Sequence, residues 1–110
     1  MAPENKNLND LRDALRAFCE ARDWPQYHTP KNLAMAMIVE AAELVEHFQW
    51  DTPEQSLRPA PDKLAAIRDE VADTFIYLLE LADVLGIDLL DAAFDKMAKN
   101  AVKYPAPNTR

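Results

Sequence analysis

A single glycine in 110 residues leaves almost no place for the tight, positive-φ turns that join short strands, which argues against an all-β fold. The one cysteine, Cys19, has no partner for an internal disulfide. No signal-peptide pattern opens the sequence, and no apolar run approaches the roughly 18 residues of a membrane span. These absences lead to the expectation of a reducing, cytoplasmic setting with no membrane partner. Positive charge is also scarce, with 12 Lys and Arg against 19 Asp and Glu, for a net charge of −7. Such a field repels phosphate backbones, so a nucleic acid polymer is not an expected partner. A small phosphorylated ligand stays admissible if a metal ion bridges acid to phosphate.

Hydrophobic residues make up 49% of the chain and charged residues 28%, a globular composition for one domain spanning 1–110. Residues 1–7 and 106–110 read as loose tails. Between them, apolar residues recur at helical spacing in four segments. The first runs from Asn9, a candidate N-cap, through Leu11, Ala14, Leu15 and Phe18 to about Arg22. The second starts at Thr29-Pro30 and runs to about Trp50. The third is capped by Asp62 and stops at Leu85-Gly86, and the fourth runs from Asp88 to about Val102. The eight prolines fall outside the periodic interiors, and Asp51 to Pro61 reads as an exposed connection.

Carboxylates sit where the two central helices should be apolar. Leu33, Met37, Ala41, Leu44 and Phe48 form the apolar arc of the second helix, with Glu40 at its edge and Glu43 and His47 beside it. The third helix repeats the pattern: Leu64, Ile67, Val71, Phe75 and Leu78 form the arc, with Glu70, Asp73 and Tyr77 on the flank. A lone Glu-x-x-Glu is ordinarily a solvated face, and Glu54, Glu80, Asp91 and Asp95 are read that way. Two matching pairs on helices that pack antiparallel would bring four carboxylates together, an oxygen-only set suited to Mg²⁺ or Mn²⁺. A di-iron bundle would call for Glu-x-x-His; here Glu46 follows Glu43 at that spacing, and His47 reads as a partner for a neighbouring carboxylate.

Trp24, Tyr27 and His28 lie on one loop, Trp50 ends the second helix, and Tyr77 stands on the acidic flank of the third. A flat heterocycle could stack among these rings, with His28 bonding its edge; closing the ends of the bundle is the simpler role for Trp24 and Trp50. Lys96, Asn100 and Lys103 share a flank of the fourth helix, as phosphate-facing groups or as ordinary surface. Cys19 has no base near it in sequence and receives no chemistry.

Glu40-x-x-Glu43, followed after 26 residues by Glu70-x-x-Asp73, resembles the metal-binding signature of the MazG-like all-α nucleoside triphosphate pyrophosphohydrolases. Arg22-Asp23-Trp24-x-Gln26-Tyr27-His28-x-Pro30-Lys31-Asn32-Leu33, Glu43-Leu44-x-Glu46-x-Phe48-Gln49-Trp50, Ile76-Tyr77-Leu78 and Tyr104-Pro105 are similar to the dCTP pyrophosphatase branch, over about Leu8 to Pro105. The resemblance implies a four-helix bundle completed by a homodimer or homotetramer. It implies cleavage of a nucleoside triphosphate to the monophosphate and pyrophosphate, with Mg²⁺ on Glu40, Glu43, Glu70 and Asp73. It further implies base contacts from Trp24, His28, Trp50, Tyr77 and Asn100, and phosphate contacts from Lys96 and from Lys31 or Lys103. Many such proteins carry a second Glu just before the first motif Glu; here that position is Val39. The catalytic base therefore falls to Glu40 or Glu43, or to metal-bound hydroxide alone. The expected activity is Mg²⁺-dependent hydrolysis of dCTP or a modified pyrimidine dNTP. A broad house-cleaning pyrophosphatase and a non-catalytic helical binding module are the alternatives.

Overall fold

A computed structural model describes residues 6–107; of the expected tails at 1–7 and 106–110, residues 1–5 and 108–110 lie outside the described residues. The elements are α1 (Leu8–Glu20), a 3₁₀ turn (Pro25–Tyr27), α2 (Pro30–Glu46), α3 (Pro53–Ser56), α4 (Pro61–Val84) and α5 (Leu89–Lys103), with no strand among the described residues. The all-α expectation holds, and the four long helices are those marked by periodicity.

Their ends follow from local chemistry. Asn7, rather than Asn9, caps α1, because its Oδ1 accepts from the Asp10 N–H at 2.9 Å, three residues on. Thr29 caps α2 in the same way through Asn32 at 3.2 Å, with Pro30 in the first position. α2 ends at Glu46, short of Trp50: its last bonds tighten to i→i−3, from His47 N–H to Leu44 and from Phe48 N–H to Val45. The connection expected to be plain holds α3, nucleated by a reciprocal Thr52–Gln55 capping box behind Pro53. α4 begins one residue before the expected Asp62 cap. Ala60 takes the cap position and Asp62 sits in the first turn, where its charge complements the helix dipole. Gly86, at φ +69°, terminates α4, and Asp88 caps α5.

α2 and α4 form the main pair, and α1 lies on α4. Both contacts are antiparallel: Glu40 and Glu43 meet Glu70 while Asp51 meets Lys63, and Cys19 meets Glu80 while Arg16 meets Asp83. The Arg16 guanidinium grips both Asp83 oxygens, one at 2.8 Å from Nε, and holds the Asp83 carboxyl below its usual range. Cys19, Leu33, Ile67, Leu79 and Ala82 are the buried apolar residues among those described.

That core is small because the apolar arcs are half open. Ile38 and Val45 of α2, Leu64 and Val71 of α4, and Leu90, Phe94, Met97 and Val102 of α5 are all exposed. From Leu90 to Lys103 no residue of α5 is even half-buried. The radius of gyration is 17.4 Å, against about 13 Å for a compact chain of this length.

Candidate functional site

The antiparallel crossing of α2 and α4 turns two i, i+3 pairs into one cluster. Carboxylate oxygens of Glu40, Glu43 and Glu70 lie within 4.8 Å of one another. Glu40 and Glu70 are half-buried, Glu43 is exposed, and Glu70 Oε2 is buried with no hydrogen-bond partner among the described residues. Like charges at this range share protons. The Glu40 carboxyl is pushed up to about 7, first by its hydrogen bond with Glu70, then by burial and by Glu43. Burial also raises Glu70, while its bond to Glu40 pulls the other way; the pair together holds a proton above the ordinary carboxylate range. Asp73 is not a member of the close triad. It faces the adjoining cleft beside Glu40, and its charge raises both Glu70 and Tyr77.

That cleft, of about 700 Å³, runs between α1, the aromatic loop and α4. Phe18, Trp24, Tyr27, His28 and Tyr77 supply its rings, and Glu40, Asp73 and Glu80 its carboxylates. Trp24 stands edge-on to Phe18 with centroids 5.6 Å apart, and its ring lies 6.2 Å from that of His28. The loop is held by Trp24 N–H to Cys19 C=O at 3.1 Å and by Asn32 Nδ2 to Tyr27 C=O at 2.9 Å. Asp23, at φ +59°, makes the tight reversal there, a conformation Asp tolerates better than most residues. Burial, with Glu40 next, pushes the Tyr77 hydroxyl above its usual range.

Of the sequence-predicted site, the single chain thus gathers Glu40, Glu43, Glu70, Asp73, Trp24, His28 and Tyr77. It does not gather Lys31, Trp50, Lys96, Asn100 or Lys103, none of which lines the cleft. Lys31 is exposed on the first turn of α2, and Trp50 is 88% exposed in the turn before α3. Lys96, Asn100 and Lys103 ride on exposed α5, where Lys103 Nζ sits 5.3 Å over the Tyr104 ring. Val39 points outward, 56% exposed. His47 caps the C-terminus of α2 and forms no ion pair among the described residues, contrary to its reading as a carboxylate partner.

Glu80 is not the solvated residue expected. Its side chain is 12% exposed, Oε1 accepts the Cys19 thiol at 3.4 Å, and Oε2 lies 3.9 Å from His28 Nδ1. The signal was available: Asp73, Tyr77 and Glu80 share one flank at i, i+4 and i+7.

The residues fit a hard divalent cation. The donors are all carboxylate oxygens, they crowd at mutual distances that a cation relieves, and one buried oxygen of Glu70 lacks a donor. Glu40, Glu43 and Glu70, with Asp73 adjoining, are the groups that would hold it.

Paired antiparallel helices with a carboxylate cluster at their crossing, beside a ring-lined cleft, define an all-α architecture with one acidic and one aromatic end to its site. Residues 35–110 match the model of the MazG-like family, and the chain belongs to that family. It is 39% identical to dCTP pyrophosphatase 1 of Mus musculus over 105 residues, which cover 94% of this chain and 62% of that protein. It is 40% identical to dCTP pyrophosphatase 1 of Homo sapiens over 101 residues, covering 90% and 59%. The chain thus spans about three fifths of these curated relatives. The crystal structure of a pyrophosphatase from Archaeoglobus fulgidus DSM 4304 superposes with a TM-score of 0.86 at 39% identity, covering 96% of this chain and 99% of that one.

Proposed function

We propose that this protein is a Mg²⁺-dependent nucleoside triphosphate pyrophosphohydrolase, with Mn²⁺ an alternative ion, that converts dCTP or a modified pyrimidine dNTP to the monophosphate and pyrophosphate. The observation that carries the reading is the Glu40/Glu43/Glu70 cluster, with its unpartnered buried oxygen, beside a cleft lined by Trp24, His28 and Tyr77. The names of the curated relatives and of the archaeal structure support the reaction class and the base.

A bound divalent ion neutralises triphosphate charge and lowers the pKa of an attacking water. The chain's own residues do the rest. Glu40, Glu43, Glu70 and Asp73 fix where the phosphates lie, and the rings of Trp24 and Tyr77 hold the base at the other end of the cleft. Val39 offers no carboxylate, so the proton of the attacking water passes to Glu40 or Glu43.

The assembly we propose is a homodimer or homotetramer in which α5 packs on another copy. The chain exposes 8993 Å² of surface, against about 6,200 Å² for a compact monomer of its mass. Such packing is the means by which Lys96, Asn100 and Lys103 would reach a cleft that they do not reach in one chain. No helix among the described residues is long and apolar enough to cross a membrane, and we place the enzyme in the cytoplasm, where Cys19 stays reduced.

Incubation of canonical and modified dNTPs with Mg²⁺, with products separated, tests the reading. Pyrophosphate and the monophosphate are the expected products. Glu43→Gln and Asp73→Asn are expected to lower the rate by at least about 100-fold with unchanged helical circular dichroism. Activity retained in both variants would refute the metal assignment.

A further inference from the structure

Glu80 is the cleft carboxylate that the metal reading leaves unused. It stands seven residues beyond Asp73 on the same flank of α4, about 10.5 Å along the helix at 1.5 Å per residue. That separation is comparable with the reach of a nucleotide from its α-phosphate to the far edge of its base. The neighbouring wall is apolar and aromatic: Leu15, Phe18, Trp24, Tyr27 and His28.

The two oxygens of Glu80 differ. Oε1 accepts the Cys19 thiol at 3.4 Å, whereas Oε2 is buried and has no hydrogen-bond partner among the described residues. His28 Nδ1, at 3.9 Å, is beyond hydrogen-bond reach. A buried acceptor without a donor destabilises the fold until a ligand supplies one. Burial, with help from Glu80, pushes the Cys19 thiol up to about 11, so at neutral pH it stays protonated and goes on donating to Oε1. The carboxylate is thereby held with Oε2 as its unused face.

We propose that Glu80 reads the base: Oε2 accepts a hydrogen bond from the exocyclic amine of a cytosine-type base and repels the carbonyl that uracil or thymine presents there. This rests on the reading that the cleft takes a pyrimidine dNTP with its phosphates at the acid cluster. Cys19, from behind Glu80, is a positioning residue that touches no substrate.

The test compares dCTP with dUTP, which differ in shape only slightly but oppose donor to acceptor at this edge. Rates of pyrophosphate release with Mg²⁺, and equilibrium binding of dCMP and dUMP with Mg²⁺, are measured for the wild type and for Glu80→Gln, Glu80→Leu and Cys19→Ala. The wild type is expected to favour dCTP in kcat/KM and dCMP in affinity. Both Glu80 variants are expected to cut these ratios by about tenfold or more: Leu removes the acceptor, and Gln removes its charge and offers an N–H to the uracil carbonyl. Cys19→Ala is expected to raise KM for dCTP while leaving kcat unchanged. Ratios within about twofold of wild type in both Glu80 variants, or a wild type that prefers uracil, overturn the assignment. A wild type that releases no pyrophosphate refutes hydrolysis alone; the binding ratios still decide the role of Glu80.

Discussion

Phe94→Glu on α5 should dissociate the assembly without unfolding the chain. Phe94 is 64% exposed, and with Leu90, Met97 and Ala101 it forms an i, i+4, i+7, i+11 stripe on a helix that is exposed after its first residue. The surface in excess of a compact monomer is about 2,800 Å² per chain, or about 5,600 Å² for a pair, the upper end of what obligate interfaces bury. Burying a Phe contributes about 1.5–3 kcal/mol, and a two-fold interface counts the loss twice, so the variant forfeits about 3–6 kcal/mol. That is a weakening of about 10² to 10⁴ in the dimer dissociation constant, before any cost of burying the new charge. Sedimentation velocity at micromolar concentration is the assay. The wild type should run at a multiple of 12.5 kDa and the variant at 12.5 kDa, with circular dichroism unchanged. A monomeric wild type would refute the surface argument. A variant that assembles as tightly as the wild type would show that α5 is not the interface.

Three further expectations concern the metal-free fold, the metal and the core. Glu40 is held at about 7 against an ordinary 4.5, so the folded state binds more protons than the unfolded state between these values, and Glu70 adds in the same direction. Metal-free protein should therefore lose stability as pH rises from about 4.5 through 7; a melting temperature in EDTA that is flat or rising over that window would contradict the shared proton. Mg²⁺ competes with that proton, so its stabilising shift should be larger at pH 8 than at pH 5.5, and an equal shift would count against binding at this cluster. Leu33→Ala, at the most enclosed position of the α2–α4 contact with 1% exposure, should cost about 2–5 kcal/mol in denaturant unfolding; a loss below about 1 kcal/mol would mean that the site collapses around the smaller residue.

The helices were legible because their signals are local: Thr29-Pro30, Gly86 and Asp88 act through bonds to residues three or four away, and the structure places each of them as read. The misses have the same origin seen from the other side. α3 was invisible to periodicity because four residues cannot show a period, although its capping box was present in Thr52 and Gln55. The acidic triad was legible because two helices repeat one angular offset, and antiparallel packing converts equal offsets into contact. Glu80 was only partly legible: its spacing from Asp73 and Tyr77 puts it on the acidic flank, but its burial comes from a third element, α1, which lays Cys19 against it.

The same distinction explains why most of the expected substrate contacts, five of eight, stand apart from the cleft. Residues placed by α1, the aromatic loop, the middle of α2 and α4 converge, because these elements pack on one another within a single chain, while Lys31 on the first turn of α2 stays outside. Lys96, Asn100 and Lys103 sit on the element that packs on none of them extensively, and Trp50 lies in a turn whose ring meets solvent. Helical spacing predicts which residues share a face, but not whether the face is covered by the chain itself or by a copy of it. An apolar stripe beside a cationic flank on one exposed helix is the pattern that a shared site requires. In the assembly proposed above, the stripe would provide the binding surface, and the flank would bring positive charge to a cleft whose own charged side chains include Glu40, Asp73 and Glu80. If so, assembly and catalysis rise and fall together, and a Phe94→Glu monomer should retain its helices and lose its turnover.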